Sequence, residues 1–382
     1  MKHKRTRVVS IIPYKILPAQ LGGEKGIALF NKYLAEKILL TGIATRNNDV
    51  SQATNYDLRN VLSNGKSKYA NPLLYFKVGQ IIRETNATHL LIEHPYFGWL
   101  AWFIRQNFNI TWVVHSHNIE YMRSKSIGRW WWKALMWYER WVYRQADAVF
   151  FISEDDKKHA VTLLGIDENK STAITYGIEQ SSLPSDLVEA KKQIRLKHNI
   201  PEECSIMLFN GALYHHTNYD ALQVILETIN PALLEHKLPY KILICGKGLP
   251  ASFNDLAAYT DKNIIYAGFV DDISVYFKAA DIFLNPIISG GGVKTKAIEA
   301  IAMNCTVVST EIGALGLVRS ACGEKLKVVS DLDWPAFIVQ VKRAMHADHR
   351  TPDPFFEYYY WGSIAEKVAD ILTLTIPAKV SE

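Results

Sequence analysis

The 382-residue chain has little cysteine and no long apolar run. Its four cysteines, at positions 204, 245, 305 and 322, show neither C-x-x-C spacing nor clustering. This pattern excludes a disulfide framework and a cysteine zinc site, and it favours a reducing compartment with buried thiols. No window approaches the roughly 20 apolar residues of a membrane-spanning helix. The apolar run after the basic start MKHKRTR ends at Pro13, so we predict no signal peptide.

The net charge is also small, and the common catalytic motifs are absent from the sequence. The formal net charge is +5, which is too small to indicate nucleic-acid binding and favours anionic small ligands or an anionic membrane surface. We find no P-loop, no G-x-G-x-x-G motif, no Ser-His-Asp arrangement and no metal-spaced cluster. With 48% hydrophobic and 21% charged residues, the composition is nevertheless that of an ordinary globular protein.

Short runs rich in Val and Ile alternate with amphipathic helical patterns along the chain. Continuous apolar strands between helices are typical of a parallel sheet that is covered on both faces. The predicted strands are 7–13, 88–94, 111–117, 148–153, 204–211, 240–248, 263–270, 280–286 and 305–310, and the main predicted helices are 26–40, 97–106, 129–145 and 355–372.

The alternation is interrupted once, by the polar segment SSLPSDLVEAKKQIRLKHNIPEE with its two prolines. Such a segment is typical of a connection between domains. We therefore predict an α/β protein with two doubly wound, Rossmann-like parallel-sheet domains that face each other across a cleft. The predicted boundaries are 1–180 for the first domain, 181–203 for the linker, 204–350 for the second domain, and 351–382 for a C-terminal helix that crosses back to the first.

The stretch ISGGGVKTKAIEAIAMNC, from Ile288 to Cys305, combines three glycines, two lysines and a helical pattern that begins near Thr295. Free N–H groups at a helix start attract anions, and glycine lets a phosphate approach the backbone. Lys294 and Lys296 oppose the helix dipole unless an anion is present, so their placement favours a bound phosphate. The alternative is a surface turn with solvated lysines and an ordinary helical glutamate at position 299.

This stretch resembles the nucleotide-sugar loop and helix of glycosyltransferase family 4, the retaining enzymes of GT-B fold. The resemblance continues in family order over most of the chain, through LGGEKGIALFNKYLAE, HSHNIE, ERWVYRQADAVFFISEDDKK, FNGALYHHTNYDAL, CGKG and AGFVDDISVYFKAADIFLNP. It implies the GT-B fold, with a nucleotide-sugar donor bound mainly by the second domain and an acceptor bound mainly by the first. It also implies transfer with retention, and neither a metal nor another cofactor.

The resemblance assigns roles to individual positions. It implies that Glu299 holds the nucleotide ribose, that the amides near Gly292 and Val293 face the diphosphate, and that His117 lies near the reaction centre. The predicted catalytic residues are His117, Lys296 and Glu299, and the predicted substrate-binding residues are Gly22, Gly23, Gly211, Gly291, Gly292, Val293, Lys294, Lys296 and Glu299.

The chain departs from the family pattern at three places. Gly291 stands where many members have a glutamate that contacts the donor sugar. Ala212 and Asn218 stand where such members have an Arg and a Lys, although a diphosphate leaving group needs cationic stabilisation. We therefore predict that the two basic contacts have moved to Lys294 and Lys296.

Four other histidines could either belong to a binding site or have a structural role. His115 lies two residues before His117, so both would face one side of a strand. His215 and His216 follow Gly211 and could contact the donor or the acceptor, or play a structural part. His94 could contact the acceptor, or could belong to a capped turn before Pro95.

The segment GRWWWKALMWYERWVYRQ combines tryptophan with basic residues. On a helix, Arg129, Lys133, Arg140 and Arg144 form one stripe, and Trp130, Ala134, Trp137 and Trp141 form the next. This pattern is typical of a helix in a membrane interface. The alternative is that the tryptophans are core and the basic stripe is its solvated edge.

We expect a retaining glycosyltransferase that moves a sugar from a nucleotide sugar to a hydroxyl of a glycan or lipid-linked acceptor. The expected setting is the synthesis of cell-surface polysaccharide or lipopolysaccharide, on the cytoplasmic side and at the inner face of a membrane. The alternatives are another GT-B enzyme, such as a nucleotide-sugar epimerase, and a non-catalytic nucleotide-sugar-binding protein.

Overall fold

The computed structural model describes residues 6–19 and 22–375, which form two compact units. The first unit holds the chain up to Glu179 and again from Tyr359 onward, and the second holds Gln180–Tyr358. One parallel sheet organises each unit, with seven strands in the first and six in the second. This architecture confirms the predicted fold class of two doubly wound α/β domains.

The elements alternate as the sequence pattern predicts. The strands are β1 Arg7–Ile11, β2 Leu39–Thr45, β3 Asp57–Leu62, β4 His89–Glu93, β5 Thr111–Ser116, β6 Ala148–Phe151, β7 Ser171–Ala173, β8 Ser205–Asn210, β9 Tyr240–Cys245, β10 Ile264–Gly268, β11 Ile282–Asn285, β12 Thr306–Thr310 and β13 Leu326–Val329. The α-helices are α1 Gly22–Leu34, α2 Leu74–Thr85, α3 Gly98–Asn107, α4 Glu120–Ser126, α5 Trp132–Gln145, α6 Glu154–Leu164, α7 Leu187–His198, α8 His216–Val224, α9 Asn230–Glu235, α10 Ile273–Ala279, α11 Thr295–Ala302, α12 Arg319–Cys322, α13 Trp334–Met345, α14 Asp353–Tyr359 and α15 Trp361–Leu374.

Both sheets have the same strand order. The first runs β3-β2-β1-β4-β5-β6-β7 and the second β10-β9-β8-β11-β12-β13, with every pairing parallel. The order reverses between β1 and β4 in the first sheet and between β8 and β11 in the second. Ligands of open α/β sheets bind beyond the carboxyl ends of the strands at such a reversal, so each unit has one preferred place for a site.

The core of each unit lies on both faces of its sheet. Every residue of β4, β5 and β6 is buried, and so is every residue of β11 and β12. Strands that are covered on both faces lose the alternation of apolar and polar residues, which is why these segments appear as continuous apolar runs.

Two predicted helices are shortened or divided in the structure. The predicted helix 26–40 ends at Leu34, and the last apolar residues of that prediction, from Leu39, begin β2. A short apolar run does not by itself distinguish helix from strand, and the pairing of β2 with β1 decides it here. The predicted helix 355–372 is two helices, because Tyr360 between them is extended and forms a bridge with Ile178.

Residues 181–203, which were predicted to be a linker, belong to the fold of the second unit. They include α7, whose His198 ring nitrogen Nε2 lies 3.0 Å from the Tyr276 hydroxyl on α10. At the other end of the chain α15 packs against α1 in the first unit. The indole of Trp361 fills the space beside Gly177, where an added Cβ would lie 2.5 Å from the ring.

The tryptophan-rich segment differs from the predicted stripes. Helix α5 begins at Trp132, so Arg129 and Trp130 lie in the turn before it. Trp130 is 89% exposed and Trp137 is 61% exposed, whereas Trp141 packs against Trp102 of the core. The alternative that all the tryptophans are core is therefore wrong for Trp130 and Trp137.

Over residues 6–19 and 22–375, no helix has the length and apolar character that crossing a membrane requires.

Candidate active site

The reversal of the second sheet holds a cavity of about 240 Å³. The segments after β8 and after β11 form its walls. The lining residues are Phe209, Asn210, His215, Thr217, Asn218, Phe283, Asn285, Ile287, Ser289, Gly290, Gly291, Val293, Lys294, Thr295 and Lys296. The buried Oδ1 of Asn210 and Oγ of Ser289 have no hydrogen-bond partner among the described residues. Buried polar atoms are normally paired, so this cavity has unused capacity for a polar ligand.

Lys296, in the first turn of α11, connects the two walls of this cavity. Its ammonium donates to the Asn210 carbonyl oxygen at 2.9 Å and to Asn218 Oδ1 at 3.3 Å. Both acceptors are neutral, and burial lowers the pKa of Lys296 to about 8, with the nearby charge of Glu299 opposing the shift. The side chain is therefore a cation that the ligand-free protein stabilises poorly.

Lys294 occupies the residue before α11 and points back along the glycine loop. Its Nζ donates to the carbonyl oxygens of Gly290, at 2.8 Å, and Gly291, at 3.4 Å. Burial lowers its pKa to about 8 as well. No side chain caps α11, and the amides of Thr295 and Ala297 donate to the carbonyl oxygens of Val293, at 3.1 Å, and Lys294, at 3.0 Å.

Two glycines allow this close approach. A Cβ added at Gly211 would lie 2.7 Å from Asn218 Cγ and 2.8 Å from Lys296 Nζ. A Cβ at Gly246, where φ is +148°, would lie 1.8 Å from the Gly211 carbonyl oxygen. Gly291 differs, since a Cβ there would meet no atom within 4 Å. The predicted site residue Gly211 thus has a definite steric role beside the cavity.

The other predicted donor residues lie on the same helix and loop. Glu299 is in the second turn of α11, and Gly292, with φ of +78°, precedes Val293 on the cavity wall. His215 also lines the cavity, with Nδ1 2.9 Å from Thr217 Oγ1, and its ring stacks on His216. Their roles toward a ligand remain predictions.

In the first unit, His117 follows β5 and belongs to a buried cluster. Its Nε2 lies 2.6 Å from Glu93 Oε2 at the end of β4, and Nδ1 of His115 lies 3.0 Å from the same oxygen. The two imidazole centroids are 4.1 Å apart, so both rings do lie on one side of the strand. Glu93 is 0% exposed and His115 2% exposed, whereas the His117 side chain keeps 13% exposure.

Burial and the two histidines act on the pKa of Glu93 in opposite directions. Burial alone would raise the pKa of Glu93, but the charge of His115 and the hydrogen bonds from both histidines outweigh it and hold the pKa at about 2. Burial lowers the pKa of His115 and of His117, which favours neutral imidazoles.

A second group of polar side chains adjoins the first. His94 Nε2 lies 2.5 Å from the Tyr14 hydroxyl, and His94 Nδ1 lies 3.3 Å from Glu120 Oε1. The His94 ring is 4.8 Å from that of His117 and stacks on Tyr96. Its backbone has φ of +68°, a strained conformation for a residue other than glycine, and such strain is found mostly at functional sites.

The chain therefore has one set of side chains that could hold a metal ion, as far as the described residues go. The ligand atoms of Glu93, His115 and His117 lie within 4.8 Å of one another.

The predicted glycines Gly22 and Gly23 open α1 and are exposed, and a Cβ at Gly23 would meet nothing within 4 Å. Their substrate-binding role stays a prediction.

The sequence reasoning missed three members of these sites. Glu120 stands in the quoted segment HSHNIE and Glu93 directly precedes His94, and neither carboxylate was assigned a role of its own. Asn218 was noted only as a missing lysine, and the structure places it against Lys296. The signal for each was adjacency to a strand end.

Two doubly wound domains, with a basic, glycine-rich cavity at one sheet reversal, define an α/β protein of GT-B architecture. Residues 52–177 match the family model of the glycosyl transferase 4-like domain, and residues 204–346 match that of the glycosyl transferases group 1. The chain belongs to the group 1, family-4-like glycosyltransferases.

A curated protein that resembles this chain also has the name of a glycosyltransferase. TuaC of Bacillus subtilis (strain 168), which carries the name teichuronic acid biosynthesis glycosyltransferase, is 27% identical over 172 residues, or 44% of this chain and 40% of that protein. The chain spans two fifths or less of the length of the curated relatives that it matches.

Solved structures show the fold over nearly the whole chain. Anabaena Alr3699/HepE in complex with UDP has a TM-score of 0.69 at 12% identity, covering 97% of this chain and 100% of that one. WaaG, a glycosyltransferase involved in lipopolysaccharide biosynthesis, has a TM-score of 0.63 at 15% identity, covering 96% of this chain and 99% of that one.

Proposed function

We propose that this protein transfers a sugar from a nucleotide-sugar donor to a hydroxyl of a glycan or lipid-linked acceptor. The cavity of the second unit would hold the donor diphosphate. The observation that carries the proposal is the ammonium of Lys296, which lies in this cavity and donates to the neutral oxygens of Asn210 and Asn218, at the sheet reversal where such folds bind ligands.

The position of this ammonium supports a relocated basic contact. The resemblance places an Arg and a Lys at positions 212 and 218, and this chain has Ala212 and Asn218 there. Lys296 Nζ lies 3.3 Å from Asn218 Oδ1, while Asn218 Nδ2 donates to the Ala212 carbonyl oxygen at 3.0 Å. In this proposal Lys296 of α11 supplies, beside Asn218, the positive charge that the segment after β8 lacks.

Catalysis in this proposal is electrostatic. The bond between the anomeric carbon and the diphosphate breaks, and Lys294 and Lys296 stabilise the negative charge that the leaving group gains. Glu299 would hold the nucleotide ribose, and the amides near Gly292 and Val293 would face the diphosphate. We assign no protein nucleophile and no metal requirement, and we propose retention of configuration, as in family 4.

Two other functions compete with transfer. A nucleotide-sugar epimerase of the same fold, or a non-catalytic nucleotide-sugar-binding protein, would use the same cavity. Gly291 in place of a sugar-contacting glutamate favours the binding protein. Turnover of the donor separates it from the enzymes, and transfer of the sugar to an acceptor separates transfer from epimerisation.

A thermal-shift screen tests the donor site directly. UDP, GDP and ADP would each be added to wild type, to the Lys294→Ala/Lys296→Ala variant and to Lys192→Ala, which removes an exposed lysine outside the cavity. A nucleotide at 100 times its Kd stabilises the folded state by about 2.7 kcal/mol. We expect one nucleotide to stabilise wild type and Lys192→Ala but not the double variant. No stabilisation of wild type by any nucleotide would contradict the proposal.

We also propose that the tryptophan-rich segment binds the inner face of a membrane, where a lipid-linked acceptor is found. Trp130, Trp137 and Ile127 are exposed, and Arg129 and Lys133 accompany them. Exposed aromatic side chains beside basic ones are typical of an interfacial surface.

Flotation with liposomes of phosphatidylglycerol and phosphatidylcholine checks this surface. We expect wild type to float and Trp130→Ser/Trp137→Ser to float several-fold less, since each tryptophan would bury its ring in the interface. The matched control is Phe269→Ser, an exposed aromatic of the second unit. Equal flotation of all three proteins would contradict the membrane proposal.

A further inference from the structure

The carboxyl ends of β4 and β5 bring three potential metal ligands together within the first unit. Glu93, the last residue of β4, is the register partner of His115 on β5. His117 follows two residues later, so its side chain lies on the same side as that of His115, and the two imidazole centroids are 4.1 Å apart. One ligand atom from each of the three side chains lies within 4.8 Å of the other two. The set therefore needs no residue from outside the first unit.

The buried polar atoms of this set are incompletely paired. Glu93 is fully buried, and its Oε1 has no hydrogen-bond partner among the described residues. The same holds for Nε2 of the buried His115. Over residues 6–19 and 22–375, no lysine or arginine forms an ion pair with Glu93. Buried polar atoms are normally paired, and buried carboxyl groups are normally paired with a cation or bound to a metal, so the set has unused capacity for a cation.

The kinds of ligand atom favour a transition metal. Imidazole nitrogen is a ligand of zinc, copper, iron and nickel, whereas magnesium and calcium take oxygen ligands. Two histidines and one carboxylate form a zinc site with three protein ligands, which leaves the fourth position to water. The His117 side chain, at 13% exposure, is the most accessible of the three and marks the side from which an ion and its water enter.

The separations in the set are close to those of a coordination shell. Zinc–ligand bonds of about 2.0–2.2 Å place the ligand atoms of a tetrahedron roughly 3.4 Å apart. Glu93 Oε2 lies 2.6 Å from His117 Nε2 and 3.0 Å from His115 Nδ1. Small side-chain rotations are therefore enough to admit an ion, and no movement of the strands is needed.

We propose that Glu93, His115 and His117 bind one divalent transition-metal ion of the zinc class. The ion joins the ends of two neighbouring strands, so it stabilises the fold of the first unit. This inference goes beyond the proposed function, because it needs neither a donor nor an acceptor, and the ion takes no part in the departure of the diphosphate.

Metal content measures the site directly. The full chain, produced without a histidine tag, would be freed of metal with a chelator and titrated with Zn²⁺ and, separately, with Mg²⁺. We expect saturable binding of about one zinc ion per chain, confirmed by elemental analysis after dialysis, and much weaker binding of magnesium. Absence of saturable zinc binding would overturn the proposal and leave a hydrogen-bonded cluster. Equal affinity for the two ions would overturn the assignment to a transition metal.

X-ray absorption at the zinc edge identifies the ligands without any substitution. We expect a shell of nitrogen and oxygen atoms, together with the outer-shell signal of imidazole rings. The four cysteines of the chain are buried, and sulfur in the zinc shell would place the ion on them and overturn the proposal.

Two variants test the ligands one at a time. His117→Gln and Glu93→Gln each replace a ligand by an amide of similar size. Loss of an outer-shell partner already lowers metal affinity about 10- to 100-fold, so loss of a ligand should lower zinc affinity about 100-fold or more. The matched control is His215→Gln/His216→Gln, which removes another pair of neighbouring imidazoles, with centroids 4.8 Å apart, and should bind zinc like wild type. Wild-type affinity in both single variants, or loss of binding in the control alone, would overturn the proposal.

The melting temperature gives an independent measure of the same site. Zinc should raise it by several degrees in wild type and the control, and not in His117→Gln or Glu93→Gln, because an ion that binds the folded state stabilises it by mass action. UDP affinity should be the same with and without zinc, since the donor cavity lies in the second unit. A protein that binds zinc at this site and no nucleotide would support this inference and contradict the proposed function. A protein that binds a nucleotide and no zinc would overturn this inference and leave the proposed function standing.

Discussion

Replacing Lys296 by methionine should weaken nucleotide binding and stabilise the empty protein at the same time. Methionine keeps the length of the side chain and removes its charge. A hydrogen bond from a charged group contributes about 1.5–3 kcal/mol, and each 1.4 kcal/mol is tenfold, so UDP affinity should fall about 10- to 100-fold.

The stabilisation follows from the poor environment of the ammonium. The pKa of Lys296 is lowered from 10.5 to about 8, chiefly by burial, so at pH 7 the protein keeps a charge that its surroundings disfavour. At 1.36 kcal/mol per pKa unit, and with allowance for the solvent that still reaches the side chain, Lys296→Met should gain about 1 to 3 kcal/mol.

Isothermal titration with UDP and urea unfolding at pH 7 measure the two effects. Lys192→Met serves as the control and should change neither quantity by more than about 0.5 kcal/mol. Adding Asn218→Lys to Lys296→Met should return most of the lost affinity, because it moves the cation back to the adjacent loop. Unchanged UDP affinity in Lys296→Met would refute the reasoning, and so would weaker binding accompanied by loss of stability.

Further predictions concern the glycines and lysines of the same cavity and its walls. Gly211→Ala should lower UDP affinity several-fold by titration, because the added Cβ would lie 2.8 Å from Lys296 Nζ, and Gly246→Ala should lower the free energy of unfolding by about 3 kcal/mol or more, because its Cβ would overlap a backbone oxygen. Gly291→Glu should leave the melting temperature within about 2 °C of wild type, since the position is open, and a large decrease would contradict the open geometry. UDP affinity should fall progressively from pH 7 upward, because the pKa values of Lys294 and Lys296 near 8 lie below the ordinary 10.5 and the diphosphate binds the protonated forms, which decrease through this range. The free energy of unfolding of the empty protein should rise over the same interval, because the unfolded state then binds more protons, and a Lys294→Met/Lys296→Met variant should show neither trend.

The fold could be predicted because its physical signal is local. Strands such as β6 and β11 are buried on both faces, and they appear in the sequence as short apolar runs between amphipathic helices. The start of α11 at Thr295 could be placed from the glycines and the small apolar residues that follow. Strands β2, β3, β7 and β13 were not predicted. β2 was missed because its apolar residues continue the pattern of α1, and only pairing with β1 makes them a strand.

The candidate sites could be predicted only in part, because their decisive contacts are tertiary. The glycine loop and its lysines stand together in the sequence, so a basic anion site was expected there. The distance from Lys296 to Asn218 depends on how two loops meet, and 78 residues separate them in the chain. Glu93 and His115 are opposite residues in the β4–β5 register, and no sequence pattern specifies that register.

The tryptophan-rich segment shows the same limit. A helical stripe was assumed to begin at Arg129, and the structure begins the helix three residues later, which leaves Trp130 in an exposed turn. Whether a tryptophan is core or surface depends on the neighbouring helix, as the contact of Trp141 with Trp102 of α3 shows.

Transfer itself is the most direct test of the account. Wild-type protein would be incubated under single-turnover conditions with radiolabelled UDP-, GDP- and ADP-glucose as donors and octyl glycosides of glucose, galactose and N-acetylglucosamine as acceptors. The account predicts that one donor yields labelled glycoside with release of its nucleoside diphosphate, and that Lys294→Ala/Lys296→Ala abolishes the product. Tight binding of a nucleotide without transfer to any acceptor would contradict it and identify a nucleotide-sugar-binding protein instead.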